Sequence, residues 1–454
     1  MRRVVPALGM LLAIATGTAW ARSLPDALWP MLQYSPDRNA VFDTPDWNVS
    51  WKVDTAKDCT ADPSDCFQSA TYVLAEINGG LSIVGTTLYA ESYDRRLYAF
   101  DARTGVEKWS AKLDNIAMNA PLVADGRVIV GGGGASVTSV DARGVEILGR
   151  PGGDDVLAFD AATGAPDWTY HTGGENMPTG AVVGSTYVFT DGDQLARALD
   201  VGSGRELWST GTDGRGVMSS LVQQDGVIYG NTGFGLNSSV MKNIYLKRDA
   251  AAAEAAGRTW AMRAADGTYL WQAPYGHGLG SPALGGGMVF VESSVPADWS
   301  NGLVARSEVV ALDAATGRLA WKYESGPGMA LSRGTNEDQI AGTYADGVLY
   351  QSLPYTSEFA AFDAATGRIR WKIPTRGIVK MSGVVAGGRV YVGDTKGNLY
   401  VLDAATGAPQ QILAFPSIFD CSSPLVVGRT LFIANGSALY AIRLSDLAKG
   451  IVPR

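Results

Sequence analysis

Short apolar runs recur along almost the whole chain, alternating with polar positions at a period of two, and each run is closed by a turn rich in Asp, Thr and Gly. A period of two predicts strands rather than helices. One stretch departs from it, Asp249 to Ala256, which reads as a helical insertion. The runs repeat as a unit. Ala99-Phe100-Asp101 leads through Thr104-Gly105 to Trp109, and the same plan ends at Trp168, Trp208, Trp271, Trp321 and Trp371, then once more with Gln411 in place of the tryptophan. Within each unit, Asp can accept from the backbone ahead of it. Gly supplies the positive φ of a tight turn, and Trp is large enough to fill the space between neighbouring units.

A further strand stands before each unit, as in Arg127–Val130 and Arg389–Val392, and the repeats follow one another at intervals of 40 to 63 residues. Four short strands per repeat is propeller spacing. At the end of the chain Leu439–Arg443 has no outer strand after it, while Trp47–Val53 near the start has no unit in front of it. Joining the two leaves no open sheet edge. The expected fold is therefore all-β: an eight-bladed propeller of four-stranded antiparallel blades, its ring closed by the N-terminal strand. Extra residues fall between the second and third strands of several blades, at Gly131–Asp155, Asn231–Arg258, Glu292–Ser307 and Ser352–Glu358. All of these lie on one face. That elaboration predicts a functional face around a central funnel, since loops on a rigid frame carry function.

Arg2-Arg3, the apolar run Ala7–Ala15 and Ala19-Trp20-Ala21 have the plan of a cleaved secretory signal. The expected organisation is residues 1–21 as signal and 22–454 as a single propeller, periplasmic or secreted. No later run is long enough to read as a membrane helix. With 37 Lys and Arg against 45 Asp and Glu, the net charge of -8 argues against nucleic acid and gives no basic handle for anionic lipid. The partners this leaves are a small-molecule substrate or cofactor in the central funnel, or a periplasmic protein. Cys59 and Cys66 flank Pro63 in a polar loop and are expected to form a disulfide, with Cys421 as a buried thiol. His171 and His277 belong to no zinc-type cluster, and no GxSxG motif surrounds a serine. Glu91, Asp193 and Glu292 stand out as acids expected where second strands end at the mouth of the funnel.

The DAATG-to-Trp repeats resemble those of propellers that bind, or descend from binders of, pyrroloquinoline quinone. The resemblance implies two alternatives. One is a quinone-dependent dehydrogenase acting on a small alcohol-type substrate. The other is a non-catalytic binding or assembly scaffold similar to the propeller subunit of the outer-membrane β-barrel assembly machine. Leu88–Asp101 is similar to the first blade of the dehydrogenases. Gly126–Ala135 is similar to the segment that in that family ends Gly-Asn-Gly-Gly-Ala-Glu, where the backbone lies against the quinone and Glu binds calcium. Glu91, Gly133, Gly134, Ala135, Ser136, Asn231 and Lys396 are the cofactor contacts this implies, with Asp193 and Glu292 as candidate catalytic acids. The chain also departs from the family. Ser136 replaces the calcium-binding Glu, no acid follows Trp271, and there is neither an adjacent cysteine pair nor a CxxCH haem motif. Pyrroloquinoline quinone is the implied cofactor, calcium is disfavoured, haem is not expected, and metal ligands are unassigned.

Overall fold

A computed structural model describes residues 22–453, apart from 45, 56–75, 117, 134–137, 141–145, 149–154, 217–218, 234–246, 248–256, 277–279, 299–303 and 329–340. Eight blades form the ring. Seven are four-stranded antiparallel sheets, and the eighth adds one short inner strand. Blade 1 has the plan of all: an innermost strand Ser82–Val84, a second Thr87–Ser92, a third Arg96–Asp101 and an outer one Glu107–Lys112. The inner three are almost wholly buried, whereas the outer strand alternates between exposed and half-buried. The ring closes as expected. Trp51–Asp54 is the outer strand of blade 8, pairing antiparallel with Ala438–Arg443. Trp47 falls short of that strand and packs edge-on against Phe432.

The repeated turn owes its shape to its aspartate. Asp313 Oδ1 accepts from the N–H of Thr316 at 2.9 Å and from its hydroxyl at 2.7 Å, and Gly317 takes φ +69°. That glycine has a second reason to lack a side chain. A Cβ there would sit 2.5 Å from the Trp271 ring of the preceding blade. The ring of blade n thus lies flat on the glycine of blade n+1. Its indole N–H donates to the main-chain carbonyl just past the repeat Asp or Arg of that blade. Trp51, Trp109, Trp168, Trp208, Trp271, Trp321 and Trp371 all do so, at 2.8–3.2 Å. Gln411 breaks the girdle at blade 7 because blade 8 has no such turn. A short helix, Leu444–Leu447, follows its third strand, and Gln411 Nε2 reaches Ala448 O at 3.3 Å instead.

Two expectations need correction. Strand structure reaches well past Glu292 and begins well before Ser307: blade 5 extends as strands Met288–Asp298 and Val304–Asp313, which pair antiparallel with one irregularity between Pro296 and Asp298. Likewise Asn231 lies within a strand that runs on to Gly233, and Leu353 ends a strand that hands over to a 3-10 turn, Pro354–Thr356. Between Gly131 and Asp155 a small hairpin forms from Thr138–Val140 and Glu146–Leu148. The helical reading of Asp249–Ala256 lies outside the described residues, as do the signal segment and the Cys59–Cys66 loop.

Sequence reading did not foresee what fills the axis. Innermost strands leave one edge of N–H and C=O groups unpaired, and a buried edge must find partners. Residues 25–42 supply them, touching the inner edge of every blade. Pro25 O accepts from Gly85 N of blade 1, Trp29 pairs with Val123 of blade 2, and Pro30 O accepts from Val182 N of blade 3. Pro36 O accepts from Leu284 N of blade 5, Asp37 O from Tyr344 N of blade 6, and Asn39 brackets Val385 of blade 7 through its side-chain amide. Val41–Phe42 then pairs in parallel with the innermost strand of blade 8. Blade 4 is reached by a side chain. Arg38, fully buried, donates to the carbonyls of Ser220, Leu221, Pro282 and Leu32 at 2.8–3.1 Å and meets no carboxylate among the described residues. Burial alone lowers its pKa to about 9. Because Pro25 and Phe42 both reach first-to-second-strand turns, the segment closes the axis from the turn face.

Candidate functional site

At the opposite end, each blade joins the next through a connection that runs into its innermost strand. Two residues before that strand, hydroxyls link the connections around the axis. Ala120 N donates to Thr179 Oγ1 at 2.7 Å, Thr179 N to Ser220 Oγ at 3.1 Å, Ser220 N to Ser281 Oγ at 2.9 Å, and Ser382 N to Ser423 Oγ at 3.1 Å. These residues are buried.

The strand register explains which side chains meet this layer. Two residues past the second-strand position that pairs toward the repeat Trp stand Glu91, Gly131, Thr190, Asn231, Glu292, Ser352 and Gly393. Side chains at this position turn toward the next connection. Asn231 Nδ2 donates to Gly280 O at 3.2 Å, and Ser352 Oγ to Val379 O at 2.6 Å. A Cβ on Gly131 would lie 1.9 Å from Asn176 Oδ1. Glu91 and Glu292 thus occupy equivalent places on blades 1 and 5, across the axis from each other. Both are essentially unexposed, at 0% and 1%, and among the described residues neither carboxyl oxygen of either has a partner within good hydrogen-bond geometry. Burial raises Glu91 well above the usual carboxylate range, the Asn119 N–H nearby offsetting only part of it. Burial likewise pushes Glu292 up to about 8, the Ser307 hydroxyl opposing and Glu308 adding to the rise. Two buried carboxyls that prefer to be neutral can donate a hydrogen bond or a proton.

Asp193 is arranged differently. It stands in the turn beyond Thr186–Thr190 rather than closing that strand, and it is clamped by Arg197, whose Nη1 donates to Oδ1 at 3.0 Å and whose Nη2 donates to Oδ2. The same guanidinium holds Asp191 at 2.5 Å. Burial and the neighbouring Asp193 together raise Asp191 well above its usual range, against the pull of Arg197. Lys396 is an exposed turn residue whose stem covers Gly377. Gly133 is wedged: its N–H donates to Ile116 O at 3.0 Å, and a Cβ would meet Met177 at 2.6 Å. The glycine run therefore admits neighbouring connections, whatever else it admits. Gly134, Ala135 and Ser136 lie outside the described residues. Sequence reading missed Lys380, whose ammonium sits 3.2 Å from Asp420 Oδ1, with the buried Cys421 thiol 3.3 Å from the same oxygen. A lysine in an apolar connection was the available signal. Among the described residues no group of three or more His, Cys, Asp or Glu side chains converges as a metal cluster.

The family model described as outer membrane protein assembly factor BamB matches residues 40–148, 144–243 and 247–446. The chain belongs to this PQQ-repeat propeller family. Tetrathionate hydrolase of Acidithiobacillus ferrooxidans is similar along nearly the full length, 25% identical with 93% of this chain and 87% of that protein covered. The quinohemoprotein alcohol dehydrogenase ADH IIB of Pseudomonas putida is 30% identical, but over 30% of this chain and only 18% of the enzyme. Among solved structures, quinohemoprotein alcohol dehydrogenase ADHIIG of Pseudomonas putida superposes with a TM-score of 0.63 at 15% identity, covering 95% of this chain and 82% of that one. BamB of Moraxella catarrhalis superposes with a TM-score of 0.53 at 16% identity, covering 83% and 96%. At such identities these structures speak for the fold. No described helix is long and apolar enough to cross a membrane.

Proposed function

We propose that this propeller is an exported hydrolase that cleaves a sulfur–sulfur bond in a polythionate-type anion, as the name of its full-length relative suggests. The observation that carries the reading is the pair of buried carboxyls Glu91 and Glu292, without a well-formed hydrogen bond among the described residues and held neutral on opposite blades. Neutral acids can hydrogen-bond an anion that ionised ones would repel. Hydrolysis adds hydroxyl from water to one sulfur and a proton to the other as the bond between them breaks. A protonated Glu292 can give the departing sulfur its proton, and the carboxylate so formed can take one from the attacking water. Such transfer is typically worth ~10²–10⁴ in rate. The likeness to tetrathionate hydrolase spans nearly both proteins, which supports this reading over the dehydrogenase one, where the match is partial.

The test is incubation of purified protein with tetrathionate, following its loss and the appearance of thiosulfate. Activity is expected in the wild type and should fall at least a hundredfold in Glu292→Gln with the fold intact. If tetrathionate is untouched while pyrroloquinoline quinone restores alcohol-dependent dye reduction, the dehydrogenase reading replaces this one. If neither substrate turns over, the scaffold reading does.

A further inference from the structure

The break in the tryptophan girdle leaves a cavity. Seven of the eight junctions between blades are filled by an indole from the outer strand, lying on the next blade and donating its N–H to a main-chain carbonyl there. In five blades the same indole also faces an aromatic ring of its own second strand, with centroids about 6 Å apart: Tyr89–Trp109, Tyr229–Trp271, Phe290–Trp321, Tyr350–Trp371 and Phe432–Trp51. Blade 7 keeps the ring, Tyr391, and lacks the indole, since Gln411 stands in its place. Between blades 7 and 8 lies a cavity of about 450 Å³, within the usual range of small-molecule sites. Tyr391 and Val401 line it from blade 7, and Leu444 and Leu447 from the helix that follows blade 8's third strand.

We propose that this cavity is a binding site for a planar aromatic group of indole size carrying a hydrogen-bond donor on its edge. The molecule itself supplies the template. Wherever the fold builds this junction elsewhere, an indole is what fits, and its donor is always satisfied by a carbonyl of the next blade. Here the equivalent carbonyl, Leu444 O, is taken by Ala448 N at 3.1 Å, and the acceptor at the slot is instead Ala448 O, which Gln411 Nε2 reaches at 3.3 Å. A ligand donor would take that carbonyl as the glutamine side chain swings aside. Arg389, whose Nε donates to Gln410 Oε1 at 2.6 Å, stands at the rim and can meet a polar or anionic substituent. Shape, the aromatic and aliphatic side chains of Tyr391, Val401, Leu444 and Leu447, and one convergent acceptor define the ligand class, and the chemistry at the other end of the axis plays no part.

The experiment titrates the full-length mature protein with indole and with N-acetyltryptophanamide, by calorimetry and saturation-transfer NMR. Both probes should bind the wild type. Binding of indole as tightly as the amide marks a free aromatic molecule as the natural occupant, and preference for the amide marks a peptide-borne tryptophan. Gln411→Trp should fill the slot from within, abolishing binding of both probes and raising the melting temperature. Tyr391→Ala should weaken binding at least tenfold, and it serves as the check if Gln411→Trp folds poorly. Absence of binding to the wild type overturns the proposal, and so does binding that survives either substitution unchanged.

Discussion

The two ends of the axis obey different rules. At the turn face seven of the eight blades follow one plan: a turn, organised by an aspartate in all but blade 4, whose glycine accepts an indole, while residues 25–42 tie the inner edges together. At the face of the connections the blades diverge. Equivalent positions hold Glu91, Gly131, Thr190, Asn231, Glu292, Ser352 and Gly393, and the acids among them lack a well-formed hydrogen bond among the described residues. Repetition is what stability needs, because each interface reuses one solution. Irregularity, maintained at a cost in desolvation, is what a site looks like. Under the proposed function the difference puts stability at one end and chemistry at the other, and it can be broken from either side.

The largest effect should come from removing the axial segment. A mature chain lacking residues 22–54 loses both the outer strand of blade 8 and the partners of all eight inner edges, and it should be recovered only as aggregate. A finer cut is Arg38→Met, which keeps the apolar stem and leaves four buried carbonyls unpaired. Each unpaired buried group costs ~1–3 kcal/mol, and partial repair by neighbours makes the expected loss roughly 3–5 kcal/mol in denaturant unfolding. Stability unchanged within 1 kcal/mol would mean that the axis is not held from this side. One step smaller is Gly317→Ala. The new Cβ meets the Trp271 ring at 2.5 Å in a backbone with φ +69°, and a loss of roughly 2–4 kcal/mol is expected.

These predictions also mark what the sequence made legible. Eight blades, the closing strand and the turn chemistry followed from repeats whose physical meaning is local: Asp, Gly and Trp each do one job within ten residues. Residues 25–42 were illegible because they form no periodic element. Pro25, Pro30 and Pro36 interrupt them, and what they satisfy are edges contributed by blades far along the chain. Arg38 reads as a surface residue until those carbonyls are in place. Glu91 and Glu292 were readable as candidates because an acid inside an apolar strand must be explained. Asp193 passed the same filter wrongly as a strand-closing acid, since Arg197, four residues on, occupies it. The glycines of Gly131–Gly133 suggested room for a flat ligand, whereas Asn176 and Met177 press on that backbone.

At the chemical end the expected effects are smaller and depend on pH. Glu292 is held protonated up to about 8 in the fold and ionises near 4.5 in the unfolded chain. Between those values the native state binds a proton that the unfolded state does not. Its stabilising contribution is therefore complete below about 4.5 and is lost as pH rises toward 8. A single such group gives a slope of about 1.4 kcal/mol per pH unit at most. Glu91, raised in the same direction, acts with it. Unfolding measured from pH 5 to 8 should show stability falling with pH, and Glu292→Gln should flatten the slope. A flat wild-type profile would mean that these carboxyls are not buried in solution.

The smallest effect should have the opposite sign and come from the other face. The turn aspartates Asp160, Asp200, Asp313, Asp363 and Asp403 are held below the usual carboxylate range. The hydroxyl of the turn Thr or Ser does most of this, except at Asp363, where the Arg370 guanidinium contributes more than Thr366. A lowered carboxylate stabilises the fold above its unfolded value of 3.8, and that contribution is lost only as pH falls through the lower folded value. These groups are exposed, so solvent screens each one and the individual effects are slight. They are repeated around the ring, however, and should appear together as a shallow acid limb below about pH 4. Asp313→Asn keeps an acceptor for Thr316 but has no charge to titrate, so it should trim this limb while leaving the fall between pH 5 and 8 untouched. If instead Asp313→Asn altered the alkaline fall, or Glu292→Gln the acid limb, the two ends would be titrating as one network, and the separation of stability from chemistry along the axis would be lost.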